Sequence, residues 1–263
     1  MRLTPEQVER FHEDGFLVLP NLFLREEVEV LRRELPAMFE EDCPANIREK
    51  SGGPVRTAMG LHLRNPVFAK LARHPRLVEP AMQIAGDKLY IQQVKVNAKA
   101  AFSGEVWQWH YDFATHHNED GVPEPLALNL HVFLDDVNEY NGPLIFIPGS
   151  HKRPVRTALD ITTTSYALWI VDNETVAGLA AEGGLFSATG PAGTGLIFGD
   201  LLVHGSSINM SPWDRRIFSL ILNPVSNALT EFRRPDYKHH RDLAPVIPLP
   251  DDCLLWDVTS TAA

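Results

Sequence analysis

Hydrophobic and polar positions follow two different periods, and the change from one to the other divides the chain. The first 41 residues are helical in pattern. Val8 and Phe11 share a face behind Thr4, Pro5 and Gln7, which have capping-box spacing with proline at the first helical position, and Gly15 supplies a stop. Phe16-Leu17-Val18-Leu19 reads as a short buried strand closed by Pro20. Val28, Leu31, Leu35 and Phe39 then recur at helical spacing among Glu and Arg. Residues 66–86 are helical again, interrupted by Pro75 and Pro80.

From about residue 88 the runs shorten to strand length. Leu89–Asn97 and roughly 105–112, 126–134, 143–148, 194–199, 202–208 and 215–223 read as strands separated by Gly, Pro and Asn clusters. Crossover helices are missing between most of them, which excludes a doubly wound parallel sheet and predicts an all-β barrel or sandwich with flanking helices. Residues 152–193 form a long connection rich in Thr, Ala and Gly, read as a lid with Tyr166, Leu168, Trp169 and Ile170 as its apolar lining. The Pro-rich tail, 224–263, is read as a surface wrap. With no repeat and no linker, 1–263 is expected to be one domain: a mostly helical flank over 1–87, a core over 88–223 and the wrap.

Composition excludes partners more than it names chemistry. The 263 residues are 44% hydrophobic, enough for one sizeable core, and the net charge of −10 argues against nucleic acid or anionic lipid held by bulk charge. Neither a signal-peptide pattern at Met1-Arg2-Leu3-Thr4 nor an apolar run of membrane-spanning length occurs, so a cytoplasmic protein is expected. Cys43 and Cys253 are too few for a disulfide framework.

Eleven histidines are the residues to follow. His-x-acid pairs occur at His12/Asp14, His110/Asp112 and His117/Glu119, where composition alone yields one or two. On a helix two residues apart diverge, which disfavours His12/Asp14 as a chelate; on a strand they share a face, and His110 and Asp112 end a strand-like run. Adding His204, near a late strand, gives two histidines and one carboxylate, the donor set of non-haem Fe(II) oxygenases. The competing readings are a surface ion pair for His110/Asp112 and a hydrogen-bonded sheet histidine for His204. Arg215 opens the last strand, whose alternation places Arg215, Ile217, Ser219, Ile221 and Asn223 on one face and Arg216, Phe218, Leu220 and Leu222 on the other. An inward guanidinium needs a carboxylate, and the distal carboxylate of 2-oxoglutarate suits it; the alternative is a surface salt bridge to one of the 34 acids.

These residues fall within a resemblance. Gln93-Val94-Lys95-Val96-Asn97, Trp109-His110-Tyr111-Asp112-Phe113, Glu119-Asp120-Gly121-Val122-Pro123, Asn141-Gly142-Pro143-Leu144, Pro148-Gly149-Ser150-His151, His204-Gly205-Ser206 through Arg215, and Asp14-Gly15-Phe16-Leu17-Val18-Leu19 resemble the phytanoyl-CoA dioxygenase family over about residues 3–240. The nearest branch is that of bacterial ectoine hydroxylases and free amino-acid (leucine-type) hydroxylases. The resemblance implies a double-stranded β-helix, a cupin-like jelly roll. It implies Fe(II) on His110, Asp112 and His204, and 2-oxoglutarate and O2 as cosubstrates, with succinate and CO2 released. Arg215 would hold the distal carboxylate of 2-oxoglutarate, Asn97 and Ser206 would help to seat it, and Trp107 would lie beside it. Gln93, His116, Asn129, His62 and Phe113 are the substrate-side candidates; by strand alternation Gln93, Lys95 and Asn97 share one face, and Asn129 and His131 share another. Related halogenases replace the carboxylate ligand by Ala or Gly, so Asp112 points to hydroxylation.

One departure matters. Ectoine hydroxylases carry Trp at the position of His116, which argues for a more polar substrate or a different pose. The expected substrate is a small zwitterion, a free L-amino acid or close derivative, and the expected state a monomer or homodimer. A carrier-tethered or secondary-metabolite intermediate is the alternative. So are, from other classes, a cupin-type metalloenzyme that does not use 2-oxoglutarate and a non-catalytic binder.

Overall fold

Local sequence signals set the outer elements. In the computed structural model, which describes residues 1–50, 52–153 and 155–256, helix α1 (Pro5–Asp14) starts at the Thr4–Gln7 capping box and stops at Gly15, whose φ of +87° the following turn requires. Strand β1 (Phe16–Leu19) and helix α2 (Arg25–Glu40) follow. Strands β2 (Asn46–Arg48) and β3 (Val55–Met59) precede three helices, α3 (Leu61–Arg64), α4 (Pro66–Leu71) and α5 (Pro75–Ala85). Pro66 and Pro75 occupy first helical turns behind Asn65 and His74 caps, whereas Pro80 lies inside α5 without ending it.

The remaining elements form the core and its connections. These are β4 (Leu89–Lys99), β5 (Trp107–His110), α6 (Asp112–Asp120), β6 (Leu128–Phe133), β7 (Leu144–Phe146), β8 (Ala158–Asp160), β9 (Leu168–Ile170), α7 (Asn173–Gly183), β10 (Phe186–Ala188), β11 (Gly195–Gly199), β12 (His204–Ser206) and β13 (Arg215–Pro224). They pair antiparallel into two sheets, β1-β11-β6-β13-β4-β3-β2 and β10-β7-β12-β5-β9-β8. Two antiparallel sheets, the larger backed by α2, α4 and α5, make the expected jelly roll.

Strand alternation sorts the core from the chemistry. Val94, Val96, Leu128, Leu130, Val132, Phe218, Leu220 and Leu222 turn to the helices and pack with Leu31, Leu35, Phe68, Leu71 and Leu77. The opposite faces of β4, β6 and β13 carry Gln93, Lys95, Asn97, Asn129, His131, Arg215 and Ile217 into the space between the sheets. A bulge makes this possible: the β4–β13 register slips between Ile221 and Leu222, so Gln92 is an extra residue on β4. Beyond it the phase inverts, and Leu89 and Ile91 turn back to the helix side.

Three expectations change. The strand expected over 105–112 ends at His110, and Asp112 is the first residue of α6. The flank over 1–87, expected to be mostly helical, carries two strands that the pattern did not show, β2 and β3, which extend the larger sheet beside β4. The 152–193 connection has structure of its own (β8, β9, α7 and β10), and α7 packs through Val176 and Leu179 against Ile147 and Val203. Pro154 in that connection, and 257–263 of the expected wrap, lie outside the described residues. Among the described residues no helix is long and apolar enough to cross a membrane.

The sorting of β13 is testable. Leu220 is fully buried on the helix side. Leu220→Ala should cost about 2–5 kcal/mol in urea unfolding.

Candidate active site

The two histidines meet because β5 and β12 are neighbours in register, with His110 opposite His204. Their ring centroids are 4.2 Å apart. Each ring is fixed by its own backbone: His110 Nδ1–H donates to the Gln108 carbonyl at 2.6 Å, and His204 Nδ1–H to that of Leu202 at 2.9 Å. In the neutral ring this leaves Nε2 as the lone pair, the tautomer a metal requires. Asp112 arrives from α6, after Tyr111 caps the helix in extended conformation, and its Oδ1 is 3.7 Å from His110 Nε2. One ligand atom from each of His110, Asp112 and His204 lies within 4.8 Å of the others.

Protonation states match that use. Burial, with His204 beside it, pushes His110 down to about 3, so its imidazole is neutral at physiological pH. Burial raises the Asp112 carboxyl, but His204, Lys95 and His110 outweigh this and hold it ionised. The helix N-terminus adds to that preference. These donors fit a ferrous ion.

The second centre is Arg215, 2% exposed. Its Nε and Nη2 donate to the Gly142 carbonyl at 3.0 and 2.7 Å, and Nη2 to Ser206 Oγ at 3.1 Å. Among the described residues no carboxylate lies within ion-pair distance of it. Burial pushes its ionisation down to about 9, still charged at neutral pH. Beside it Lys99, pushed down to about 6 by burial and then by Arg215 and Arg56, donates to the Glu105 carbonyl at 2.7 Å. Arg56 pairs with Glu105 at 2.7 Å and Glu49 at 4.0 Å and stacks on the Trp107 ring, 3.9 Å from its centroid. Arg56 takes both nearby carboxylates, Lys99 bonds to backbone carbonyls, and Arg215 is left a buried cation without a counter-charge, so its end of the cavity calls for an anion. Gly142 tolerates no side chain: it has φ +77°, and a Cβ would sit 2.7 Å from both Lys99 Cδ and the Ser207 carbonyl.

Between and around these centres lies a cavity with about 740 Å³ of empty space, its open mouth included. The structure brings His110, Asp112, His204, Arg215, Asn97, Trp107, Gln93, His116 and Asn129 to its wall, with Ser206 bonded to Arg215. Thr57 donates to Asn97 Oδ1 at 3.0 Å, which fixes the Asn97 amide. Of the expected lid lining, Tyr166 and Leu168 reach the cavity. Trp169 and Ile170 do not: the Trp169 indole donates to Glu119 at 3.3 Å, and Ile170 pairs with His110 in the sheet.

Two substrate-side candidates lie elsewhere. Phe113, one residue past Asp112, is turned away by the helical rotation of about 100° per residue and stacks near His117, at 5.2 Å between centroids. His62, on α3, faces the His240 ring at 4.7 Å, outside the wall. His116, read as either a loop residue or a contact, is buried on α6 and paired with Asp200.

Sequence reasoning assigned nothing to Arg234, Lys95 or Thr115, all on the wall. Lys95 Nζ donates to Gln93 Oε1 at 2.6 Å, and strand alternation with Gln93 and Asn97 was signal enough to place it. Arg234 had no signal, since it comes from the irregular tail. It grips Asp120 at the end of α6 through two hydrogen bonds, while His239 approaches the same carboxylate at 2.9 Å.

Fold and donor set define a non-haem iron oxygenase of the 2-oxoglutarate-dependent class. The model of the phytanoyl-CoA dioxygenase (PhyH) family matches residues 11–217, and the chain belongs to that family. It is 36% identical over 240 residues to the ectoine dioxygenase of Bordetella bronchiseptica, covering 86% of this chain and 77% of that one. It is 36% identical over 256 residues to the L-proline trans-4-hydroxylase of Streptomyces griseoviridis, covering 93% and 96%. Among solved structures, EctD from S. alaskensis with 2-oxoglutarate and 5-hydroxyectoine superposes with a TM-score of 0.83 at 32% identity, over 94% of this chain and 87% of that one.

Two outcomes follow from the buried charges. Arg215→Met should weaken 2-oxoglutarate binding on the order of 10- to 100-fold. It should also leave the ligand-free protein at least as heat-stable as wild type, because an unpaired buried charge is removed; a large loss of melting temperature would contradict this. His62, both nitrogens buried without a partner among the described residues, is pushed down to about 4 by burial, and then by His240. Between the unfolded value of 6.5 and the folded value of about 4, the unfolded chain takes up a proton that the folded one does not. Stability therefore falls as pH drops through that window, by as much as about 3 kcal/mol. His62→Phe should flatten this part of the stability–pH curve in chemical denaturation.

Proposed function

We propose that this protein hydroxylates an unactivated C–H bond of a small zwitterion, a free L-amino or imino acid or close derivative, coupled to conversion of 2-oxoglutarate and O2 to succinate and CO2. The observation that carries the reading is Arg215. A buried guanidinium without a carboxylate, in the cavity that also holds the His110–Asp112–His204 cluster, is completed by a dicarboxylate long enough to reach the metal. Cupin-type enzymes and binders that do not use 2-oxoglutarate have no need of that charge.

Each part of the site then has a task. Fe(II), when bound by His110, Asp112 and His204, supplies the activation of O2 that no side chain provides. Arg215 takes the distal carboxylate of 2-oxoglutarate, Ser206 and Asn97 seat it, and Trp107, held under Arg56, walls it in. Tyr166, Leu168 and Met59 line the cavity and limit water around the reacting carbon. On the substrate side Gln93 and Asn129 offer amides, and Arg234, presented by Asp120, offers a cation for a substrate carboxylate. Two relatives act, by their names, on ectoine and L-proline, compact molecules of the same kind.

A screen of the twenty amino acids and common cyclic imino acids for substrate-stimulated succinate release tests this. At least one should give a product heavier by one oxygen, and His110→Ala or a ferrous chelator should abolish its formation. Succinate release unaffected by every zwitterion, or full activity of His110→Ala, would overturn the reading.

A further inference from the structure

Helix α6 carries more of the cavity than its metal ligand. Asp112, His116 and Asp120 stand at i, i+4 and i+8, one above the other on a single helical face. The first belongs to the metal cluster, and the last holds Arg234. His116, between them, is 3% exposed and lines the cavity.

Its partner is equally buried. Asp200 follows β11 and is 1% exposed. Its backbone ties α6 to the core: its carbonyl accepts from Phe113 N–H, and its N–H donates to the Ala127 carbonyl, both at 3.1 Å. The two Asp200 carboxylate oxygens lie 3.0 and 3.2 Å from His116 Nδ1. A carboxylate only accepts, so Nδ1 carries the proton, and in the neutral ring Nε2 is a lone-pair acceptor. Nε2 is on the ring edge opposite Asp200, and no hydrogen bond to it forms among the described residues. An acceptor fixed in a cavity wall by a buried carboxylate, and without a donor, is a recognition element awaiting one.

We infer that His116, oriented by Asp200, is a specificity-determining residue that accepts a hydrogen bond from the amine or imine N–H of the substrate. The inference rests on the amino-acid hydroxylase reading and adds which wall reads the nitrogen. The buried Asp200 carboxylate behind the ring favours a nitrogen that donates at this wall, while Arg234 serves the carboxylate end of a zwitterion. Asp200 acts through His116 and is a positioning residue.

Anaerobic calorimetry on the Fe(II)- and 2-oxoglutarate-loaded enzyme tests it. The probes are the L-amino or imino acid that most stimulates succinate release and its analogue with the nitrogen replaced by carbon. Wild type should bind the nitrogen compound on the order of 10- to 100-fold more tightly. In the double variant His116→Phe/Asp200→Asn, which keeps a flat ring and leaves no orphan carboxylate, the preference should fall to within about threefold. KM should carry the change, and 2-oxoglutarate affinity should be unaltered. His116→Gln, whose Oε1 still accepts, should recover part of the preference. Full discrimination in the double variant, or none in wild type while turnover persists, would overturn the inference alone. Failure of every zwitterion to stimulate turnover would overturn the amino-acid reading and this pole with it.

Discussion

An arginine buried without a counter-charge is the constraint on which the rest of this structure depends. Arg215 sits inside the barrel with carbonyl and hydroxyl oxygens for company. A lone guanidinium there is costly, and folds retain such a group when something else completes it. Its surroundings are built for that vacancy in charge. Gly142 turns its carbonyl to the guanidinium at a backbone geometry that favours glycine, and Arg56 takes the Glu49 and Glu105 carboxylates without sparing one for Arg215. The metal ligands stand on the wall of the same cavity.

The sheet makes this affordable by separating two environments across one strand. Along β13, Arg215 and Ile217 face the cavity while Phe218, Leu220 and Leu222 anchor the sheet to α4 and α5. The bulge at Gln92 confines the polar face of β4 to Gln93, Lys95 and Asn97 and returns Leu89 and Ile91 to the apolar core. Phe198 stands between His131 and His204, at 4.9 and 5.0 Å, and keeps the metal histidine against a dry wall. The apolar core thus stabilises the fold while the opposite face of the same strands remains free to hold charge.

Much of this was legible from the chain because it is local. Alternation of two residues placed Gln93, Lys95 and Asn97 together and Arg215 opposite Arg216, and the observed faces agree: Arg216 instead binds Asp135 at the surface edge. The capping box at Thr4 and the stop at Gly15 formed where their spacing required. What stayed hidden depends on contacts between distant segments. His116 meets Asp200 across 84 positions, and Arg234 meets Asp120 across 114. The nine-residue α6, short and weakly patterned, gave little periodic signal, so Asp112 looked like the end of a strand. Strand β3 was missed for a related reason: all five of its residues are buried, which erases the alternation that marks a strand.

The central claim is that the charge of Arg215 is completed by the distal carboxylate of 2-oxoglutarate. The most direct measurement is the melting temperature of the anaerobic Fe(II)-loaded protein with 2-oxoglutarate and, separately, with 2-oxobutyrate, which keeps the metal-binding end and lacks the distal carboxylate. The account predicts a clear rise with 2-oxoglutarate, growing with its concentration, and little or none with 2-oxobutyrate. Equal stabilisation by both, or by neither, would contradict it.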